Sequence, residues 1–417
     1  MDNFIGTAGN DTFAATVVNA AAAAGAGAGT TLNASDLLTG GAGTDTLSMV
    51  VLGANSATGP VPLAVNTPVT SSVEVISVKN LSTGSQNGVT VNTAASSGIT
   101  TVVNDSSTAA VAFTAVASNA AVNVISSKAA TSVTFADAAL ATAITLALNV
   151  SAAGSAATPA SITVATTTAA GTVTAATINA IGANFVALAG GASTAASIGV
   201  AAGVKSLTVT GAGSLNLTNT SALVNGSTLA TDLTKLDASA NTGGLTATVS
   251  NAKVVVTGGT GADTISLAGA LTAGAVINLG AGNDKLLFAT GGSIASTVTV
   301  DGGDGIDSVA AVLVNAGNAA MFKNFEKVDF GALAANFDLG LMTASTIIGL
   351  SMSAAVGGDF TVSNIANTVG LEVNGAVGAT NTTTTTLTVN GALANTADVF
   401  NITFNGDAVV GVPTAAN

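Results

Sequence analysis

Short runs in which apolar and polar residues alternate recur through most of this 417-residue chain. Between residues 69 and 250 they read VEVISV, GVTVNT, TVVNDS, AVNVIS, SVTFAD, ITLALNV, SITVAT, GVKSLTVT, SLNLT and LTATV. A period of two sends successive side chains to opposite faces of an extended backbone, so each run predicts a half-buried strand. The runs return roughly every ten to twenty residues, the interval expected of stacked rungs. With short runs, small side chains and irregular copies, the predicted fold is all-β, a parallel β-solenoid or β-roll. A β-sandwich over the middle of the chain is the alternative. Residues 330–417 return to the same alternation (STIIGLSMS, FTVSNI, GLEVNG, TTLTVNG, VFNITFNG). Within them Thr380–Val389 predicts either a solvated threonine ladder or an edge open to a neighbouring subunit.

Two stretches depart from this period. Val312–Val328 (VLVNAGNAAMFKNFEKV) is the helical candidate, with Met321, Phe322 and Phe325 on one side, and its alternative is to end in a strand. Ala14–Ser35 contains VVNAAAAAGAGAG, which reads as a short helix followed by a glycine hinge. Pro60, Pro62 and Pro68 then punctuate the passage to the next region. The predicted segments are 1–68, 69–250, 251–311 and 312–417.

The segment 251–311 carries the chemistry. It reads GGTGADTISL, then NLGAGNDKLLF, then DGGDGIDSVAAV, each a glycine-rich turn closed by an aspartate and followed by an apolar residue. The closing aspartates, Asp263, Asp284 and Asp307, are 21 and 23 residues apart. Two more copies, GTAGNDTF from Gly6 and GGAGTDTL from Gly40, end in Asp11 and Asp45, 34 residues apart with an insertion between. This is the nonapeptide signature of calcium-binding β-rolls. A hard cation wants several oxygen ligands, and glycine turns present carbonyls while aspartate adds a charged oxygen. One turn offers too few, so the Ca2+ ion is expected between successive turns. Spacings of 21 and 23 suit one rung of about eighteen residues plus a small bulge or loop, which would stack Asp263, Asp284 and Asp307 in a column with two sites between them. Asp301 and Asp304 crowd the last turn, where they either bind a further ion or sit in solvent.

Composition sharpens this picture. The chain has no Cys, His, Trp or Tyr, and charged residues make up only 7%. All eight cationic residues are Lys, against 18 Asp and three Glu, for a net charge of −13. Without cysteine there are no disulfides or thiolate metal sites. Clustered motif carboxylates repel one another, so folding is expected to be coupled to calcium. Nucleic acid is an unsuitable partner, since there is no basic patch and no arginine to neutralise phosphates. The mean hydropathy of +0.65 comes from scattered Ala and Val. The most apolar run, Ala138–Val150, is too short to span a bilayer. Asp2 and Asp11 stand near the N-terminus with no Lys before Lys79, a pattern unlike a Sec signal.

The order of GTAGNDTF, an Ala/Gly-rich insertion, LNASDLLTGGAGTDTLSM and SSVEVISVKNLST is similar to that of RTX-type calcium-binding surface-layer proteins of Gram-negative bacteria. LTKLDASANTGGLTATV before GGTGADTI, and FKNFEKVDFGAL after the last motif, resemble the same family. The resemblance implies backbone ligands at Gly258, Thr260, Gly280, Gly282, Gly303 and Gly305. It also implies type I secretion to the cell surface, lattice or fibre assembly as a homo-oligomer, and attachment to lipopolysaccharide or another surface glycan.

The missing residue types argue against an enzyme. Without His, Cys or Tyr most acid–base and nucleophile arrangements are unavailable to the chain, and it has no G-x-S-x-G elbow or P-loop. The expected function is therefore structural: a secreted chain that folds on calcium and polymerises into a surface layer or filament. The alternative is a calcium-dependent adhesin or biofilm-matrix binding protein, which would need an exposed aromatic or charged patch.

Overall fold

The computed structural model describes residues 2–19, 29–54, 63–140, 145–166, 175–190, 204–217, 233–289, 291–331, 335–352, 360–366, 369–374, 385–389 and 402–405. The chain divides into two compact units, Met1–Thr246 and Ala247–Asn417. The fold is all-β, with long parallel sheets of the solenoid or β-roll kind.

In the first unit the chain alternates between two sheets. One contains, in spatial order, Thr12–Val18, Thr46–Leu52, Val75–Asn80, Thr101–Asp105, Ala121–Ile125, Thr145–Ser151, Ala175–Ile181, Ser206–Gly211 and Lys235–Asn241. The other contains Leu63–Asn66, Val89–Asn92, Val111–Val116, Thr131–Phe135, Ala160–Thr166, Ala183–Gly190 and Ser214–Asn216. A smaller sheet joins Asn3–Ile5, Leu37–Thr39 and Val69–Ser71. The neighbours pair in parallel, each strand with the next one contributed to the same sheet. A sandwich of antiparallel hairpins is thereby excluded for this region.

Alternation within each strand builds the core. Leu47, Ile76, Val102, Val122, Leu148, Ile178 and Val209 stand in register from strand to strand. Each is buried, and each contributes roughly 2 kcal/mol on leaving water. Identical inward positions on successive rungs therefore select similar β-branched or leucine side chains, and the few inward polar ones, such as Asn80 and Asn104, are buried with hydrogen-bond partners.

The second unit repeats this logic with shorter strands. Val256, Ile277, Val300 and Phe322 form one buried register ladder. Ile265, Leu286, Val309, Val328, Leu350 and Leu371 form another. The helix expected over 312–328 is replaced by 3-10 turns at Ala311–Leu313 and Ala319–Met321 and strands at Phe322–Lys323 and Lys327–Asp329. The cause lies in its polar residues. Asn318 is buried and donates to the Ile294 and Leu313 carbonyls, and Asn315 accepts from the Gly317 N–H, so side chains compete for helical backbone partners. No α-helix occurs among the described residues. Thr385–Val389 lies at the edge of a three-stranded sheet beside Phe360–Ile365. The alanine–glycine run at 20–28 and the threonines before 385 lie outside the described residues.

Candidate metal centre

Each glycine motif sits between two strands and turns the chain from one sheet to the next. The apolar residue two positions after the aspartate anchors the exit: Leu47, Ile265, Leu286 and Val309 are all buried. Consecutive loops then lie directly on one another. The Ala281 N–H donates to the Gly259 carbonyl at 2.8 Å and the Asp304 N–H to the Gly280 carbonyl at 2.9 Å. Gly303 and Gly305 have φ of 101° and 147°, and a Cβ on either would overlap the carbonyl of Gly280 or Gly282 beneath. Only glycine allows both this conformation and this approach.

The aspartates form a hydrogen-bonded ladder. The Asp263 N–H donates to Asp284 Oδ1 and the Asp284 N–H to Asp307 Oδ1, both at 2.7 Å. The Asp307 N–H donates to Glu326 Oε2 at 2.8 Å. The N-terminal motifs repeat the arrangement despite the insertion between them: Asp11 N–H to Asp45 Oδ1 at 2.7 Å, and Asp45 N–H to Glu74 Oε2 at 2.8 Å. Asparagines brace both stacks, with Asn10 Oδ1 accepting from the Thr44 N–H and Asn283 Oδ1 from the Ile306 N–H.

The second carboxylate oxygens differ along each ladder. In the first member of each column it is occupied: Asp11 Oδ2 accepts from the Thr7 N–H and Asp263 Oδ2 from the Gly259 N–H. In Asp45, Asp284 and Asp307 it is buried and has no hydrogen-bond partner. These three atoms are half of the orphaned buried side-chain oxygens found among the described residues, and there is one for each gap between motif loops. A buried carboxylate oxygen without a donor is costly. Burial foremost, with the charges of Asp263 and Asp307, pushes Asp284 up to about 7 against the Asp263 N–H bond. Asp307 is pushed up to about 6, by burial first and then by Glu326, Asp301 and Asp304.

This donor set suits a hard divalent cation: anionic oxygens stripped of hydrogen bonds beside loops rich in carbonyls. No three carboxylates converge on one point among the described residues, so a cation here would draw on loop carbonyls as well as aspartate. Of the expected backbone positions, Gly258, Gly280, Gly282, Gly303 and Gly305 lie in the stacked loops, with the Gly280 carbonyl already accepting from Asp304, while Thr260 is exposed at its loop. Asp301 and Asp304 lie near enough to Asp307 to act on its charge but make no bond of the ladder. Asp301 pairs in its strand with Asn278 and Lys323 and accepts from Asn324 Nδ2, and Asp304 is exposed. Glu74 and Glu326 are the members that the motif pattern does not predict. Their signal in the sequence is scarcity, since the chain has only three glutamates.

Among the described residues no helix is long and apolar enough to cross a membrane. Comparison with protein-family models gives no match, and comparison with curated proteins gives none.

Proposed function

We propose that this chain is a secreted structural protein that folds on calcium and self-assembles into a surface layer or filament. The observation that carries the calcium half is the set of three buried, donor-free aspartate oxygens, equal in number to the gaps between stacked glycine loops. Asp45, Asp284 and Asp307 would hold the ions together with carbonyls of the adjoining loops. Bound calcium supplies positive charge that neutralises the carboxylates and ties consecutive rungs. The chain's own residues do the rest: the glycines let the loops approach, the ladder bonds set each carboxylate, and the apolar anchors keep the loops stacked.

The assembly half rests on the similarity of the motif order to RTX surface-layer proteins and on a strand-rich body with 7% charged residues. On this reading export is by type I secretion, the destination is the cell surface, and lipopolysaccharide or another surface glycan is the anchor. The absence of His, Cys and Tyr supports a scaffold in place of an enzyme. Negative-stain electron microscopy of purified protein tests the proposal. Ordered sheets or filaments that form with calcium and vanish in chelator are expected; a dispersed calcium-loaded monomer would refute assembly.

A further inference from the structure

Both acidic columns end in the same local structure. One residue beyond the paired Thr39–Ser71 and Asp301–Lys323, Gly40 faces Ser72 and Gly302 faces Asn324 on the next rung. In the glycine loops four residues separate this position from the aspartate, Gly41 to Thr44 and Gly303 to Ile306. On the following rung one residue does, Val73 or Phe325, and the register partner of the aspartate is Glu74 or Glu326.

Three features make this shortened turn a repeated device. Ser72 and Asn324 both adopt a left-handed conformation, with φ of 53° and 54°. Val73 and Phe325 are both fully buried, which pins the turn against the core. The carbonyls of Ser72 and Asn324 lie so close to Gly40 and Gly302 that a Cβ on either glycine would overlap them. With the turn three residues shorter, the longer glutamate side chain reaches the position an aspartate carboxylate holds in the column. There it accepts the N–H of Asp45 or Asp307 at 2.8 Å. One rung further on the acid is gone: Thr100 and Ile348 donate their N–H groups to the Glu74 and Glu326 carbonyls.

We propose that Glu74 and Glu326 are positioning residues that close the two columns. Each holds the last motif aspartate, Asp45 or Asp307, with its donor-free Oδ2 beside the first glycine of its own loop, and each ends the series of cation sites because its short turn brings no glycine loop. The inference rests on the reading that the columns bind calcium. It adds a stop signal, a left-handed residue, a buried apolar residue and a glutamate, which joins a metal-bearing stretch of solenoid to a metal-free one.

Calcium titration calorimetry on the full chain tests it, with Glu326→Ala, Glu326→Gln and Glu326→Asp beside the corresponding Glu74 variants. In the wild type three ions are expected. Glu326→Ala should weaken one of them by about tenfold or more, the cost of leaving the buried Asp307 N–H without an acceptor, and leave the other two unchanged. Glu326→Gln keeps an acceptor oxygen at the same reach and should stay within about threefold of wild type. Glu326→Asp keeps the charge but loses reach and should resemble Ala. If Glu326→Ala does not fold, the Gln and Asp variants carry the comparison, because both retain a polar group at the site. Three ions at wild-type affinity in Glu326→Ala, or in Glu326→Asp, would overturn the proposal, as would equal losses in Gln and Ala. A wild-type chain that binds no calcium would overturn the metal reading itself, a result visible before any substitution is made.

Discussion

Replacing Asp284 by Asn should change stability in opposite directions with and without calcium. Asn keeps the oxygen that accepts the Asp263 N–H and removes the charge on the donor-free Oδ2. In the folded, calcium-free chain the Asp284 carboxyl is raised from 3.8 to about 7, chiefly by burial. At pH 8 it is ionised in both states, so folding carries the full cost of that shift. About three pKa units correspond to a ceiling of ~4 kcal/mol, and solvent screening at the loop reduces this to about 2 kcal/mol. In chelator at pH 8, Asp284→Asn should therefore be more stable than wild type by about 2 kcal/mol. With calcium a hundredfold above its dissociation constant, each occupied site adds about 2.7 kcal/mol. Asp284 borders two of the gaps, so losing both sites forfeits about 5 kcal/mol, and after the gain of about 2 kcal/mol from removing the charge the variant should be less stable by up to about 3 kcal/mol. Urea unfolding followed by far-UV circular dichroism, in chelator and in calcium, gives both numbers. A change of the same sign in both media would refute the reasoning.

The pH dependence follows from the same groups. Asp284 and Asp307 have folded values raised to about 7 and about 6 from 3.8, so their contribution is fully present below about pH 4 and is lost as pH rises through 6 to 7. The calcium-free chain should show a higher urea midpoint at pH 5 than at pH 8, and a higher midpoint at pH 8 would contradict the assignment. Gly303→Ala places a Cβ at φ 101° against the Gly280 carbonyl, whereas Gly98→Ala at φ 82° meets nothing within 4 Å. The first should cost about 3 kcal/mol and weaken calcium binding, the second only about 1 kcal/mol of backbone strain; equal losses in urea titrations would argue against stacked loops. Leu148→Ala, deep in the ladder between Val122 and Ile178, should cost about 2–5 kcal/mol and leave the calcium count unchanged in a titration.

Much of this architecture is written in local pattern. Alternation at period two marks the strands because inward positions such as Ile76 and Val102 repeat in register, and a parallel ladder rewards like residues above like. The spacing of Asp263, Asp284 and Asp307 is legible because each interval exceeds one rung by only a few residues. The contact between Asp11 and Asp45 is harder to read, since the 34-residue separation hides a direct loop-on-loop stack behind an insertion. Glu74 and Glu326 escape the motif because the turn that carries them is three residues shorter, and only the register reveals that a longer side chain fills the aspartate's place. The segment 312–328 looks helical from its apolar spacing, yet Asn315 and Asn318 use their side chains to hold turns, and Phe322 is committed to the ladder with Val300. Asp301 and Asp304 crowd the last turn in sequence, and in the fold Asp301 accepts from Asn324 Nδ2 while Asp304 is exposed, neither of them a rung of the ladder.

The central claim is that one cation bridges each gap between glycine loops, and counting bound calcium tests it most directly. Native mass spectrometry of the calcium-loaded chain should find three ions, falling to two in Asp45→Asn and to one when Asp263, Asp284 and Asp307 are all changed to Asn. A chain that carries no calcium, or whose count ignores these substitutions, would contradict the account.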